Sequence, residues 1–137
     1  MQTVSQVMTR GVRTLAPEDS LTDAAETMRD LDVGSLPICD KDRLVGMVTD
    51  RDIVIRGLAE KRPNGCVKDV MTPEPLYCYD DEPVETAVQT MQSGQVRRLP
   101  IVDRDKRLVG VLALGDVALS AKDQAGDALS DISEPSP

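Results

Sequence analysis

The sequence repeats itself, and that repeat limits the possible fold more than any other feature. Laid over itself so that Val4 meets Val67, the chain matches Val7, Met8 and Thr9 with Val70, Met71 and Thr72. The register holds as Ala24, Thr27, Met28 and Val33 fall on Ala87, Thr90, Met91 and Val96, and Leu36-Pro37-Ile38 falls on Leu99-Pro100-Ile101. One extra residue near Lys106 then brings Arg43-Leu44-Val45-Gly46 onto Arg107-Leu108-Val109-Gly110 and Asp52 onto Asp116. Identity in register over such a span marks two copies of one supersecondary unit.

Each copy reads alike. A short extended piece (Val12 to Leu15; Leu76 to Tyr79) leads into a Pro or acidic turn, after which Leu21, Ala24, Ala25, Met28 and Leu31 recur at helical spacing. Ser20 stands as an N-cap with Asp23 three residues on, whereas the second copy has Pro83, a residue suited to a helix first turn. Two apolar runs, Leu36 to Cys39 and Leu44 to Val48, flank Asp40-Lys41-Asp42 as a hairpin. A second helix from about Asp50 to Lys61 stops at Pro63-Asn64-Gly65. The expected fold class is therefore α/β (α+β), a β-α-β-β-α unit twice, with copies at 1–62 and 63–122. Neither copy buries much surface alone, so the two are expected to pack through their sheets about a pseudo-two-fold axis. The Gly, Ser, Asp and Pro content of 123–137 predicts a disordered tail.

Composition removes several function classes. Twenty-four acidic against sixteen basic residues leave a net charge of −8, which disfavours nonspecific binding to nucleic acid or anionic membranes. Histidine is absent, so His-based triads and the common zinc sites are excluded. Cys39, Cys66 and Cys78 are odd in number and show no CxxC spacing. No apolar run approaches the roughly 20 residues of a membrane span, and the chain reads as cytoplasmic. No P-loop, nucleophile elbow or catalytic carboxylate pair is present, and a non-enzymatic role is expected.

The V-M-T opening of each copy, the Ala- and Met-bearing helix, L-P-I, and R-L-V-G followed by a helix with Asp together resemble a tandem pair of CBS domains, over about residues 1 to 122. The resemblance implies clefts between the halves that bind adenine nucleotides (AMP, ADP or ATP), and a disc-like homodimer that passes occupancy to an unknown regulated partner. A dinucleotide or S-adenosylmethionine presents the same ribose diol.

The sharpest segment is Gly46-Met47-Val48-Thr49-Asp50-Arg51-Asp52, a strand entering a helix. Thr49-x-x-Asp52 has the form of a capping box, which needs no ligand to explain it. In the resembled family the matching Gly-x-x-Thr-x-x-Asp binds nucleotide, with threonine near phosphate and aspartate on the ribose hydroxyls. The second copy reads Gly110-Val111-Leu112-Ala113-Leu114-Gly115-Asp116; it keeps Asp116 but has lost the threonine, so unequal sites are expected. Arg97-Arg98 precede Leu99-Pro100, and on a strand at most one of them faces a given cleft. The resemblance assigns Arg97 or Arg98 to a phosphate, pairing it with Thr49 and Asp52. Gly34-Ser35 stand at the same place in the first copy, and Val12, Gly34, Ser35 and Pro37 are the candidate base pocket. Two alternatives remain open: a dimeric assembly module with a vestigial pocket, and metal-assisted hydrolysis by Asp50 and Asp52. Asp40-x-Asp42 and Asp103-x-Asp105 read as hairpin turns rather than calcium loops. No metal and no required cofactor are expected.

Overall fold

The structure, a computed structural model, describes residues 2–120; the tail assigned to 123–137 lies outside them. In chain order the elements are α1 (Val4–Val7), α2 (Leu21–Leu31), β1 (Ser35–Asp40), β2 (Arg43–Thr49), α3 (Asp50–Asp52), a π-helical stretch (Ile53–Leu58), a 3-10 turn (Val67–Asp69), β3 (Thr72–Pro73), β4 (Cys78–Tyr79), α4 (Val84–Gly94), β5 (Arg98–Val102) and β6 (Leu108–Ala113). Residues 114–120 are helical. The chain forms two compact units whose limits differ from those of the repeats. Among the described residues, the first comprises Val12–Pro75 with Arg104–Leu108; the second comprises residues 2–11, Leu76–Asp103 and residues 109–120.

In the first unit β1 and β2 form the expected hairpin, with Asp40 opposite Arg43 and Lys41 in the left-handed region at φ 59°. The short β3 joins antiparallel to β2, with Thr72 opposite Met47. The extended piece before α2 contributes a single parallel bridge, Leu15 to Ile38. Helix α2 starts where Ser20 Oγ accepts from the Asp23 N–H at 3.0 Å, satisfying an amide that the first turn leaves without a carbonyl. It ends at Asp32 in the left-handed region, with the Val33 N–H returning to the Met28 carbonyl at 3.0 Å. Leu21, Ala24 and Met28 share its inner stripe and pack with Leu15, Leu36, Ile38, Val48, Ile53, Val67 and Val70. The last two residues open the second repeat, yet both are fully buried here.

The second unit repeats the plan with the exchange reversed. Val4 and Met8 of the N-terminal segment lie in a core with Cys78, Ala87, Met91, Leu99, Ile101 and Leu112. Its sheet runs β4-β5-β6, with β4 parallel to β5, and Thr9 pairs with Val111 of β6. Helix α4 ends as α2 does, at Gln95 with φ 55°. Pro83 is its N-cap rather than a first-turn residue, so the helix starts at Val84.

One element departs from simple periodicity. The helix expected from about Asp50 to Lys61 is α-helical only through Asp52 and then widens, with the Ala59 N–H bonded to the Val54 carbonyl at 2.9 Å and Arg62 to Gly57 at 2.7 Å. Gly57 is buried there against Leu21, and a Cβ on it would stand 2.7 Å from Leu21 Cδ1.

Candidate functional site

The segment from Gly46 to Asp52 is carried by β2 into α3. Gly46 is buried, and its close approach is to its own unit: a Cβ there would meet Met71 Sδ and stand 3.0 Å from the Thr72 carbonyl on β3. Thr49 is the N-cap of α3. Its Oγ1 accepts from the Asp52 N–H at 3.0 Å, and Asp52 Oδ2 accepts from the Thr49 N–H at 2.9 Å, so the capping box is formed in both directions. The Arg51 N–H is taken by Asp50 Oδ1 at 2.8 Å. The first-turn amides that an incoming anion would use are thus engaged by the protein's own oxygens, and a phosphate would have to displace Asp50 from Arg51. Asp52 Oδ1 is different: its nearest charged neighbour, Arg56 Nε, is 4.0 Å away, and the Asp52 side chain is 17% exposed. That oxygen keeps acceptor capacity for a hydroxyl.

Two of the other sequence-derived candidates, Ser35 and Pro37, lie on the adjoining strand β1, and Gly34 immediately precedes it. Gly34 accepts the Asp50 N–H at 3.0 Å through its carbonyl, and Ser35 is the register partner of Thr49. Gly34 is exposed; a Cβ on it would approach Asp50 Oδ2 to 3.4 Å. Gly34, Ser35, Thr49 and Asp52 therefore converge at one end of the β1–β2 hairpin. Pro37 is buried in the sheet, opposite Met47, with its carbonyl accepting from Leu15 N–H at 3.0 Å. Val12 is half-buried in the same unit, three residues before Leu15.

The second unit holds the matching constellation with altered chemistry. The Leu114 N–H donates to the Arg97 carbonyl at 2.8 Å, as Asp50 does to Gly34. Arg98 opens β5 and Arg97 precedes it; both are exposed, and among the described residues neither side chain has a hydrogen bond or ion pair. Ala113 offers no hydroxyl, yet Asp116 Oδ2 still accepts from the Ala113 N–H at 3.3 Å, leaving half a capping box. The same oxygen accepts from Thr9 Oγ1 at 3.3 Å. The sequence reading missed Thr9, because the V-M-T triplet that carries it is identical in the two copies and so marks no special role.

Two of the three thiols are buried in the fold, and Cys66 is half-buried. Cys39 is buried, and desolvation, reinforced by the charge of Asp42, pushes its thiol up to about 11. Burial likewise raises Cys78, opposed by its hydrogen bond to Thr90. Asp42 pairs with Arg107 at 3.3 Å, at the turn of the hairpin. Among the described residues no three His, Cys, Asp or Glu side chains gather to hold a metal ion, and no helix is long and apolar enough to cross a membrane.

Comparison with known proteins agrees with this geometry. The family model described as CBS domain matches residues 4–58 and 67–122. The uncharacterized protein YlbB of Bacillus subtilis is 41% identical over 139 residues, covering 98% of this chain and 93% of that protein. Among solved structures, CBSX2 of Arabidopsis thaliana in complex with AMP superposes with a TM-score of 0.79 at 34% identity, over 88% of this chain and 96% of that one. The CBS domain pair of protein MJ0100, in complex with 5′-methylthioadenosine and S-adenosyl-L-methionine, gives 0.79 at 25% identity, over 90% and 98%. Hypoxic Response Protein I of Mycobacterium tuberculosis, with two coordinated zinc ions, gives 0.79 at 37% identity, over 86% and 98%. This chain has no histidine and no acidic or thiol cluster among its described residues, so the present side chains do not fit a zinc site.

Proposed function

The chain belongs to the CBS domain family as a tandem pair, and from that premise we propose that it is a non-enzymatic regulatory module that binds an adenosine-containing ligand and signals its occupancy to a partner protein. The observation that carries this reading is the convergence of Gly34, Ser35, Thr49 and Asp52 at one hairpin end, where Asp52 Oδ1 is left with acceptor capacity. An ionised carboxylate accepts two hydrogen bonds at once, which suits the vicinal hydroxyls of a ribose. Val12 and Pro37 complete the candidate base pocket. Arg97 and Arg98, exposed and without side-chain partners, are the cations offered to a phosphate, and Asp116 is the ribose acceptor of a second, weaker site. The AMP, methylthioadenosine and S-adenosylmethionine bound by the structural neighbours support the adenosyl class without choosing among its members.

Thermal denaturation of the full chain against AMP, ADP, ATP, S-adenosylmethionine and guanosine monophosphate tests the reading. Adenosyl ligands at about 100 times their dissociation constant should stabilise by about 2.7 kcal/mol, and GMP should not. A melting curve indifferent to every adenosyl ligand sinks it.

A second reading, the assembly module, has its own observation. Leu31 (47% exposed), Val54 (51%), Ile55 (46%) and Leu58 (57%) present apolar side chains from α2 and the π-helical stretch of one unit. Burying them in a homodimer would remove that area from water. Light scattering that returns a monomer at high concentration refutes the dimer and leaves the ligand reading standing.

A further inference from the structure

We propose that Thr9 is a positioning residue of the Asp116 site, so that the N-terminal segment ending there is a component of that site. The inference rests on the nucleotide reading above and adds a residue that lies far from the motif in the chain. Thr9 reaches Asp116 across 107 positions of sequence.

Three features aim its hydroxyl. The Thr9 main chain is tied to β6 by a reciprocal pair of hydrogen bonds, Thr9 N–H to the Val111 carbonyl at 2.9 Å and Val111 N–H to the Thr9 carbonyl at 3.0 Å. Val4 and Met8, just before it, are core residues with 0% and 8% exposure. Gly110 lets the segment lie flat on the strand, because a Cβ there would stand 2.7 Å from both the Thr9 carbonyl oxygen and Met8 Sδ. From this fixed backbone Thr9 Oγ1 donates to Asp116 Oδ2, the oxygen that also accepts from the Ala113 N–H. Two donors on one oxygen set the carboxylate's orientation and leave Oδ1 to a ligand hydroxyl.

The first unit achieves the same result by other means. There Oδ2 of Asp52 is held by the Thr49 N–H at 2.9 Å, and Thr49 Oγ1 closes the box. Thr72, the counterpart of Thr9, makes no bond to Asp52 among the described residues. The hydroxyl absent at Ala113 is thus supplied from elsewhere in the chain, as a donor to the carboxylate rather than a cap on the helix.

The test is calorimetric titration of the full chain with AMP in an Asp52→Ala background, which isolates the Asp116 event. Thr9→Val removes the hydroxyl and keeps the shape; it should weaken that event roughly three- to tenfold. Thr9→Ser should restore most of the affinity, and Thr9→Val should add nothing once Asp116 is also replaced by alanine. An unchanged affinity in Thr9→Val, or a loss that Thr9→Ser does not recover, overturns the positioning role while leaving nucleotide binding intact. Failure of the unsubstituted protein to bind AMP at all overturns the nucleotide reading, and this inference with it.

Discussion

Replacing Thr49 by alanine separates a helix cap from a ligand contact, since the two roles respond differently to nucleotide. Without ligand, the variant loses the 3.0 Å bond from the Asp52 N–H and leaves that amide at a half-buried helix start without its acceptor. The reciprocal bond from the Thr49 N–H to Asp52 Oδ2 survives, because it uses the backbone of residue 49. Loss of an N-cap hydroxyl costs about 0.5 to 2 kcal/mol, and with half the box retained we expect about 1 kcal/mol. With AMP at about 100 times the wild-type dissociation constant, the intact protein gains about 2.7 kcal/mol. If Thr49 also touches the ligand and its loss weakens binding about fivefold, the same concentration stabilises the variant by only about 1.8 kcal/mol. Urea denaturation with and without AMP should therefore show a gap between wild type and variant that widens by about 0.9 kcal/mol when ligand is present. A gap of the same size in both conditions refutes the ligand role and leaves Thr49 as a cap.

Asp52→Ala should abolish the tighter of two AMP binding events in calorimetry, whereas Asp116→Ala should remove the weaker one; equal losses reject the asymmetry that Ala113 implies. Replacing Arg97 and Arg98 together by alanine should weaken AMP by about tenfold and adenosine hardly at all, since only AMP offers a charged acceptor to an exposed guanidinium; parallel weakening of both ligands refutes a phosphate contact. Gly110→Ala should destabilise the protein by about 1 to 3 kcal/mol in chemical denaturation, because the added methyl meets the Thr9 carbonyl oxygen at 2.7 Å and backbone cannot swing aside; a melting curve like wild type contradicts that packing. At neutral pH a thiol reagent should modify Cys66 first, while buried Cys39, with its thiol raised to about 11, reacts only as the chain unfolds; prompt modification of Cys39 in the folded state speaks against its burial.

What the sequence determined by itself is what short-range chemistry encodes. Ser20 with Asp23, the turn at Asp40-Lys41-Asp42 and the Thr49-Asp52 box all join residues a few positions apart, and each stands in the structure where the pattern placed it; of the helical stripe Leu21, Ala24 and Met28 are buried, whereas Ala25 and Leu31 are exposed. The doubling was legible too, as was the loss of the threonine at Ala113. Tertiary structure alone decided which copy's opening segment completes which unit. Val67 and Val70 enter the core of Leu15 and Ile38, and Val4 and Met8 enter that of Leu99 and Ile101. The two V-M-T segments are identical, so no local preference could distinguish their destinations. The widening of the helix at Ile53–Leu58 was likewise hidden, as was the buried approach of Gly57 to Leu21, a neighbour distant in the chain. The hydrogen bond from Thr9 to Asp116 belongs with these. A threonine's sequence neighbours report its own turn of backbone, whereas its partner here is set by where β6 lies when the core closes around Val4 and Met8.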